Sequence, residues 1–117
     1  MEQEMYIKRL PHAEVLDLRT IVPVAEQQIC SLAMVQRPSL NVTLFSLDQG
    51  QTIGGHASPG DAMVQLLSGQ ARITIGEQDY IVRAGESIIM PARVTHALYA
   101  EEAFQMLLMV VKPERER

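Results

Sequence analysis

Few side chains in this sequence of 117 residues could carry chemistry. They are three histidines (His12, His56 and His96), one cysteine (Cys30), and the hydroxyls and carboxylates beside them. His56 is expected to follow a glycine-rich turn, Gly50-Gln51-Thr52-Ile53-Gly54-Gly55, and His96 follows Pro91-Ala92-Arg93-Val94-Thr95. In an antiparallel barrel, strands so far apart in sequence are expected to face each other across the interior. Two imidazoles would then converge on one point, as a metal site or a general acid–base pair requires. The plainer alternative is two solvated or hydrogen-bonded histidines. Ser58 with His56 and Asp61 supplies the residue types of a hydrolase triad. However, G-x-S-x-G is absent, and residues two apart on a strand lie side by side without facing each other, so a triad is set aside. Met34, Met63, Met90, Met106 and Met109 could line an adaptable pocket, although core filling is the better reading. Gln65, Gln105 and Arg93 are candidate polar anchors. Arg93 could receive a carboxylate or phosphate of a ligand, against the simpler reading of a solvated loop arginine.

The elements that must position these groups are strands. Residues 1–25 are mixed, with Asp17 placed to cap a short helical turn over Leu18–Ile21 that Pro23 stops. From Ile29 onward, short apolar or alternating runs recur between Gly, Pro and charged turns, the pattern of a sandwich or barrel. Strands are expected over Gln28–Gln36, Leu40–Asp48, Ala62–Ser68, Ala71–Gly76, Tyr80–Val82, Ser87–Met90, Thr95–Ala100 and Phe104–Val111. Asp61 is expected in the turn Ser58-Pro59-Gly60-Asp61, accepting backbone N–H groups. In the last strand Phe104, Met106, Leu108 and Val110 oppose Leu107, Met109 and Val111, so both faces should be buried. A barrel has one inside. The other face needs a second cover, either the N-terminal segment or, preferably, the partner subunit of a two-fold homodimer.

Composition narrows the classes. Apolar residues are 47% and charged residues 21%, which argues for a folded domain and against disorder. The net charge of −4 comes with no basic run, so nucleic acid is not an expected partner. No apolar run reaches the ~18 residues of a spanning helix, and the acidic start has no apolar signal core. Neither a membrane nor an internal disulfide is expected, and the assigned location is cytoplasmic. Aromatics are only 4% against seven Met, so the core should be aliphatic and soft in places.

Two segments resemble the motifs of the cupin superfamily. The first runs Gly, five residues, His, one residue, His, three or four residues, Glu, six residues, Gly; Gly50, His56 and Gly69 stand in its register. The second runs Gly, five residues, Pro, one residue, Gly, two residues, His, three residues, Asn; Gly85, Pro91 and His96 match. The resemblance implies an all-β, double-stranded β-helix (jelly-roll) barrel of two antiparallel sheets with a short N-terminal extension. Residues 1–25 would be an arm on the barrel or a partner, 26–112 the barrel, and 113–117 a charged, solvated tail. It also implies a divalent transition metal on three His and one Glu. Here the second His falls on Ser58, the Glu on Ala62, the motif Gly on Arg93 and the Asn on Ala100. Only His56 and His96 remain as metal ligands, with Ser58 and Arg93 as ligand-binding residues. Two functions follow: a binding or regulatory module taking a small polar ligand in the barrel, with any divalent metal held weakly, or a metal-dependent enzyme of isomerase or dioxygenase type. A purely structural oligomerising domain is a third reading.

Overall fold

Period-2 alternation, broken at short intervals by turn residues, builds strands almost everywhere. The computed structural model describes residues 4–114, and within these the only helix is one 3-10 turn, Leu18–Thr20. The strands are β1 (Ile29–Arg37), β2 (Leu40–Leu47), β3 (Thr52–His56), β4 (Asp61–Ser68), β5 (Gln70–Ile75), β6 (Gln78–Arg83), β7 (Ser87–Met90), β8 (His96–Ala100) and β9 (Phe104–Val111). They form two antiparallel sheets, ordered β1-β2-β9-β4-β7 and β3-β8-β5-β6. This is the expected jelly-roll barrel. One element differs from expectation: the glycine-rich stretch before His56 is not a turn but the edge strand β3. Its glycines carry no strand signal, and its pairing with β8 supplies the order that they lack.

The barrel interior is aliphatic. Leu47, Val64, Leu66, Ile73, Phe104 and Met106 are fully buried in it, and Met90 and Leu98 join them. The inward face of β9 is the one that carries Phe104 and Met106, with Leu108 and Val110 packing at the margin.

The outer face of the five-stranded sheet carries a second apolar layer. Leu44 is buried there against Met34 and Val35, with Leu32, Val42, Leu67 and Leu107 around them. Its cover is the N-terminal segment, through Leu10, Leu18, Ile21 and the buried Val22. Asp17 caps the short turn as expected, accepting from the Arg19 N–H at 3.0 Å.

Gln105 fastens this segment to the sheet. Its Nε2 donates to the carbonyls of Arg19 (2.6 Å) and Val22 (3.0 Å), and its Oε1 accepts from the Ser68 hydroxyl (2.8 Å). The Ser46 hydroxyl also donates to the Val22 carbonyl. A helical turn leaves its last carbonyls without partners, and these side chains supply donors. Gln105 and Gln65 both lie on the outer face, so neither is a polar anchor inside the barrel.

The segment covers only one end of this face. Beyond Leu107, Met109 is half-buried and Val111 is 60% exposed, so the outer face of β9 is not buried along its whole length. Lys112 is half-buried at the strand end, its N–H donating to the Ser39 carbonyl at 2.9 Å. Of the expected tail, 113–117, residues 115–117 lie outside the described residues. No helix among the described residues is long and apolar enough to cross a membrane.

The Gln105→Leu variant would leave the Arg19 carbonyl and the Ser68 hydroxyl without their partner. It should lower unfolding free energy by about 2 kcal/mol in chemical denaturation, with the barrel strands retained by circular dichroism.

Candidate functional site

His96 occupies a strand with neighbours on both sides. It pairs with Ile75 of β5 and, across the other edge, with His56 of β3. Leu98, two residues on, is in the core, so alternation turns His96 inward, and it is 5% exposed.

His56 reaches the same face by a different route. Ile53 packs on the core opposite Leu98, so strict alternation would send His56 outward. The register slips between Ile53 and His56, three steps on β3 against two on β8, which is one extra residue. Gly55 lies within that slip at φ +65°, a left-handed backbone that favours glycine. The bulge re-aims His56 to the inner face, a common use of bulges near functional sites. The two histidines are therefore side by side on adjacent strands, and not opposite each other across the barrel as expected. Their ring centroids are 4.8 Å apart in an edge-to-face arrangement.

The two environments differ. His56 is exposed, and its Nδ1 lies 3.2 Å from the Gly54 carbonyl, which suits an Nδ1–H and leaves Nε2 with the lone pair. His96 Nδ1 is buried with no hydrogen-bond partner among the described residues. Burial first, and the nearby His56 second, push the His96 pKa below the usual imidazole value; the Val94 carbonyl opposes this more weakly. A neutral imidazole has a lone pair to offer to a metal or a donor.

The loops that lead out of β3 and into β8 are tied together beside this pair. The Arg93 N–H donates to the Ser58 carbonyl at 2.7 Å, and the Ala92 N–H donates to Asp61 Oδ1 at 2.8 Å. Asp61 thus accepts a backbone N–H as expected, but from the second loop and not from its own turn. Ser58 Oγ accepts from the Gly60 N–H at 3.1 Å. Arg93 is exposed with φ +66°, the backbone that a glycine would adopt without strain. Ala62 is buried in the core and offers no donor. Gly60 sits where a Cβ would press on Lys112 Cγ at 2.7 Å, so the loop lies directly against the end of β9.

Two polar residues here escaped the motif reading. Asn41 is opposite Val110, which is opposite Ala62, so all three share the inner face. With its amide turned so that the oxygen faces Lys112, Asn41 accepts from Nζ at 3.2 Å. Alternation from the inward Val110 was the signal available for Lys112. Asn41 carried none beyond sharing the face of Phe45 and Leu47 in β2.

These donors fit a metal only in part. Among the described residues no group of three His, Cys, Asp or Glu could hold an ion. A catalytic zinc usually takes three protein ligands and a structural zinc four. Two surface clefts, of about 500 Å³ by Leu16 and Gln65 and about 430 Å³ by Tyr80 and Ile88, are lined by neither histidine.

Residues 43–112 match the Cupin domain family. A conserved protein of unknown function from Streptococcus pyogenes is 55% identical in its crystal structure, with a TM-score of 0.95, covering 97% of this chain and 100% of its own. A cupin superfamily protein from Desulfitobacterium hafniense is 27% identical with a TM-score of 0.87, covering 92% of this chain and 98% of its own. An uncharacterized Streptomyces coelicolor protein is 29% identical over 84 residues, 71% of this chain and 80% of that protein.

The metal-free protein should show a His96 imidazole that titrates below 6.5 in an NMR pH series. The sign for stability follows. Below 6.5 the unfolded chain takes up a proton that folded His96 resists, so the unfolding temperature should fall as pH drops through that value. Replacing His96 with Phe should flatten that part of the slope.

Proposed function

The chain belongs to the cupin family, and from that membership we propose that it binds a small polar ligand at the open end of the barrel, beside His56 and His96. The carrying observation is the histidine pair itself: two rings at 4.8 Å, one with a buried, unpartnered Nδ1. Ser58 and Arg93, joined through their backbones, stand on the rim, where a hydroxyl and a guanidinium can meet a ligand's oxygens. Residues 26–112 act as the barrel, 1–25 as an arm, and the residues after 112 as a tail.

A divalent transition metal would be held by His56 and His96, with water or a chelating ligand filling the remaining positions. Bound there, it would supply Lewis acidity. With two protein donors its retention is weak, because neither Ser58 nor Ala62 adds a strong ligand. The second reading, a metal-dependent isomerase or dioxygenase, is favoured by the placement of both histidines on one face. The lone free Cys30 suits a reducing compartment such as the cytoplasm.

We further propose a two-fold homodimer through the uncovered part of the outer face. Met63 and Met109 are register partners there, and Ile89 (55% exposed) and Val111 (60% exposed) extend the apolar surface on either side. A patch of this kind on a small domain marks an interaction surface.

Elemental analysis of untagged, dialysed protein should find transition metal well below one ion per chain, and a chelator should leave the unfolding temperature unchanged. Stoichiometric metal with a stability loss in chelator would favour the enzyme reading instead. Sedimentation at micromolar concentration should give the mass of two chains, and Met109→Glu should reduce it to one; a wild-type monomer would rule the dimer out.

A further inference from the structure

The chain carries a net charge of −4, yet three of its cations gather at one place that neither His56 nor His96 lines. Lys8, Arg9 and Arg37, with Tyr6, Met34 and Gln36, line a pocket of about 140 Å³ between the N-terminal arm and the edge strand β1. Two chain segments build it. The register of β1 slips between Ala33 and Val35, and the arm bonds to the irregular stretch. The Lys8 N–H donates to the Met34 carbonyl at 2.9 Å, and Arg9 Nη1 donates to the Ala33 carbonyl at 2.7 Å. Behind them His12 Nε2 lies 2.8 Å from the Ile7 carbonyl, which holds the arm in a loop.

Among the described residues, none of the three cations has a carboxylate within salt-bridge distance; the ion pairs are Arg19–Asp17 and Arg72–Glu101. One carboxylate touches the wall: Glu4 Oε2 accepts from the Tyr6 hydroxyl at 3.5 Å. Every other polar side chain on the wall can donate: one ammonium, two guanidiniums, a phenol and an amide. A guanidinium offers a planar fork of N–H groups and an ammonium offers a point charge, which together match a compact dianion with several acceptor oxygens. Three cations exceed what a carboxylate would neutralise.

We propose that this pocket binds a phosphoryl group, either free phosphate or the phosphate of a small monoester. The site is independent of the histidine pair, and its test does not touch that reading.

Calorimetric titration of the full chain at pH 8 and fixed ionic strength should show saturable binding of inorganic phosphate or of glycerol phosphate. Tighter binding of the monoester assigns the site to a phosphorylated metabolite, and tighter binding of inorganic phosphate assigns it to the free ion. Lys8→Gln and Arg37→Gln should each weaken binding by about tenfold or more, in line with loss of one charge-assisted contact, and the double variant should abolish saturation. Arg83→Gln, which removes the same charge on β6, should leave affinity unchanged. No saturable binding of either probe, equal binding of acetate, or an equal loss in the Arg83 variant would overturn the proposal.

Discussion

A sheet that is apolar on both faces has to be covered twice. The five-stranded sheet packs one face on the four-stranded sheet, and this makes the barrel core around Phe104, Met106 and Leu47. Its other face holds Leu44, Leu107 and Val35, and water cannot be left on them without loss of the hydrophobic gain. The short segment before β1 answers that need over part of the sheet. The polar consequences of bringing an irregular backbone onto an apolar face are met by Gln105, Ser46 and Ser68. A buried carbonyl without a donor is expensive, so these side chains are as necessary to the arm as its leucines.

That division of labour explains where function can sit. The sheet β3-β8-β5-β6 carries the histidines, while the other sheet supplies apolar backing and, at Asn41 and Lys112, a polar margin. Ile73, Ala71 and Ala100 are fully buried inside the barrel, so within it the polar side chains stand at the end that holds His56 and His96. Ser58 and Ala62 add no strong metal donor to the histidine pair at that end. Folds of this type host many functions, so the fold by itself does not name one.

Most of the architecture was legible in the residues. Clean alternation in β5 and β9, and punctuation by Gly76, Gly85 and Pro91, marked their strands closely. The motif register placed His56 and His96 at one site. Three features were not legible. Strand β3 is glycine-rich and an edge, so neither composition nor hydrophobic period marks it. The bulge at Gly55 reverses the face of His56, and a period-2 reading cannot see a one-residue slip. The basic pocket joins Lys8 and Arg9 to Arg37 through backbone bonds from an irregular arm, which no local pattern encodes.

The two histidines also ride on strands of unequal tenacity. His96 belongs to β8, bonded on both sides, whereas His56 ends β3, an edge strand whose register with β8 holds at Thr52, Ile53 and His56 only. Edge segments with few bonds open locally at a fraction of the free energy of global unfolding. A guest held by both rings, as proposed above, would therefore leave by fraying of β3 while β8 stays in place. Its residence time would then be a property of that strand end, with the effective dissociation constant scaled by how often it is zipped shut. Glycines at positions 54 and 55 would in that case tune exchange kinetics as well as aim.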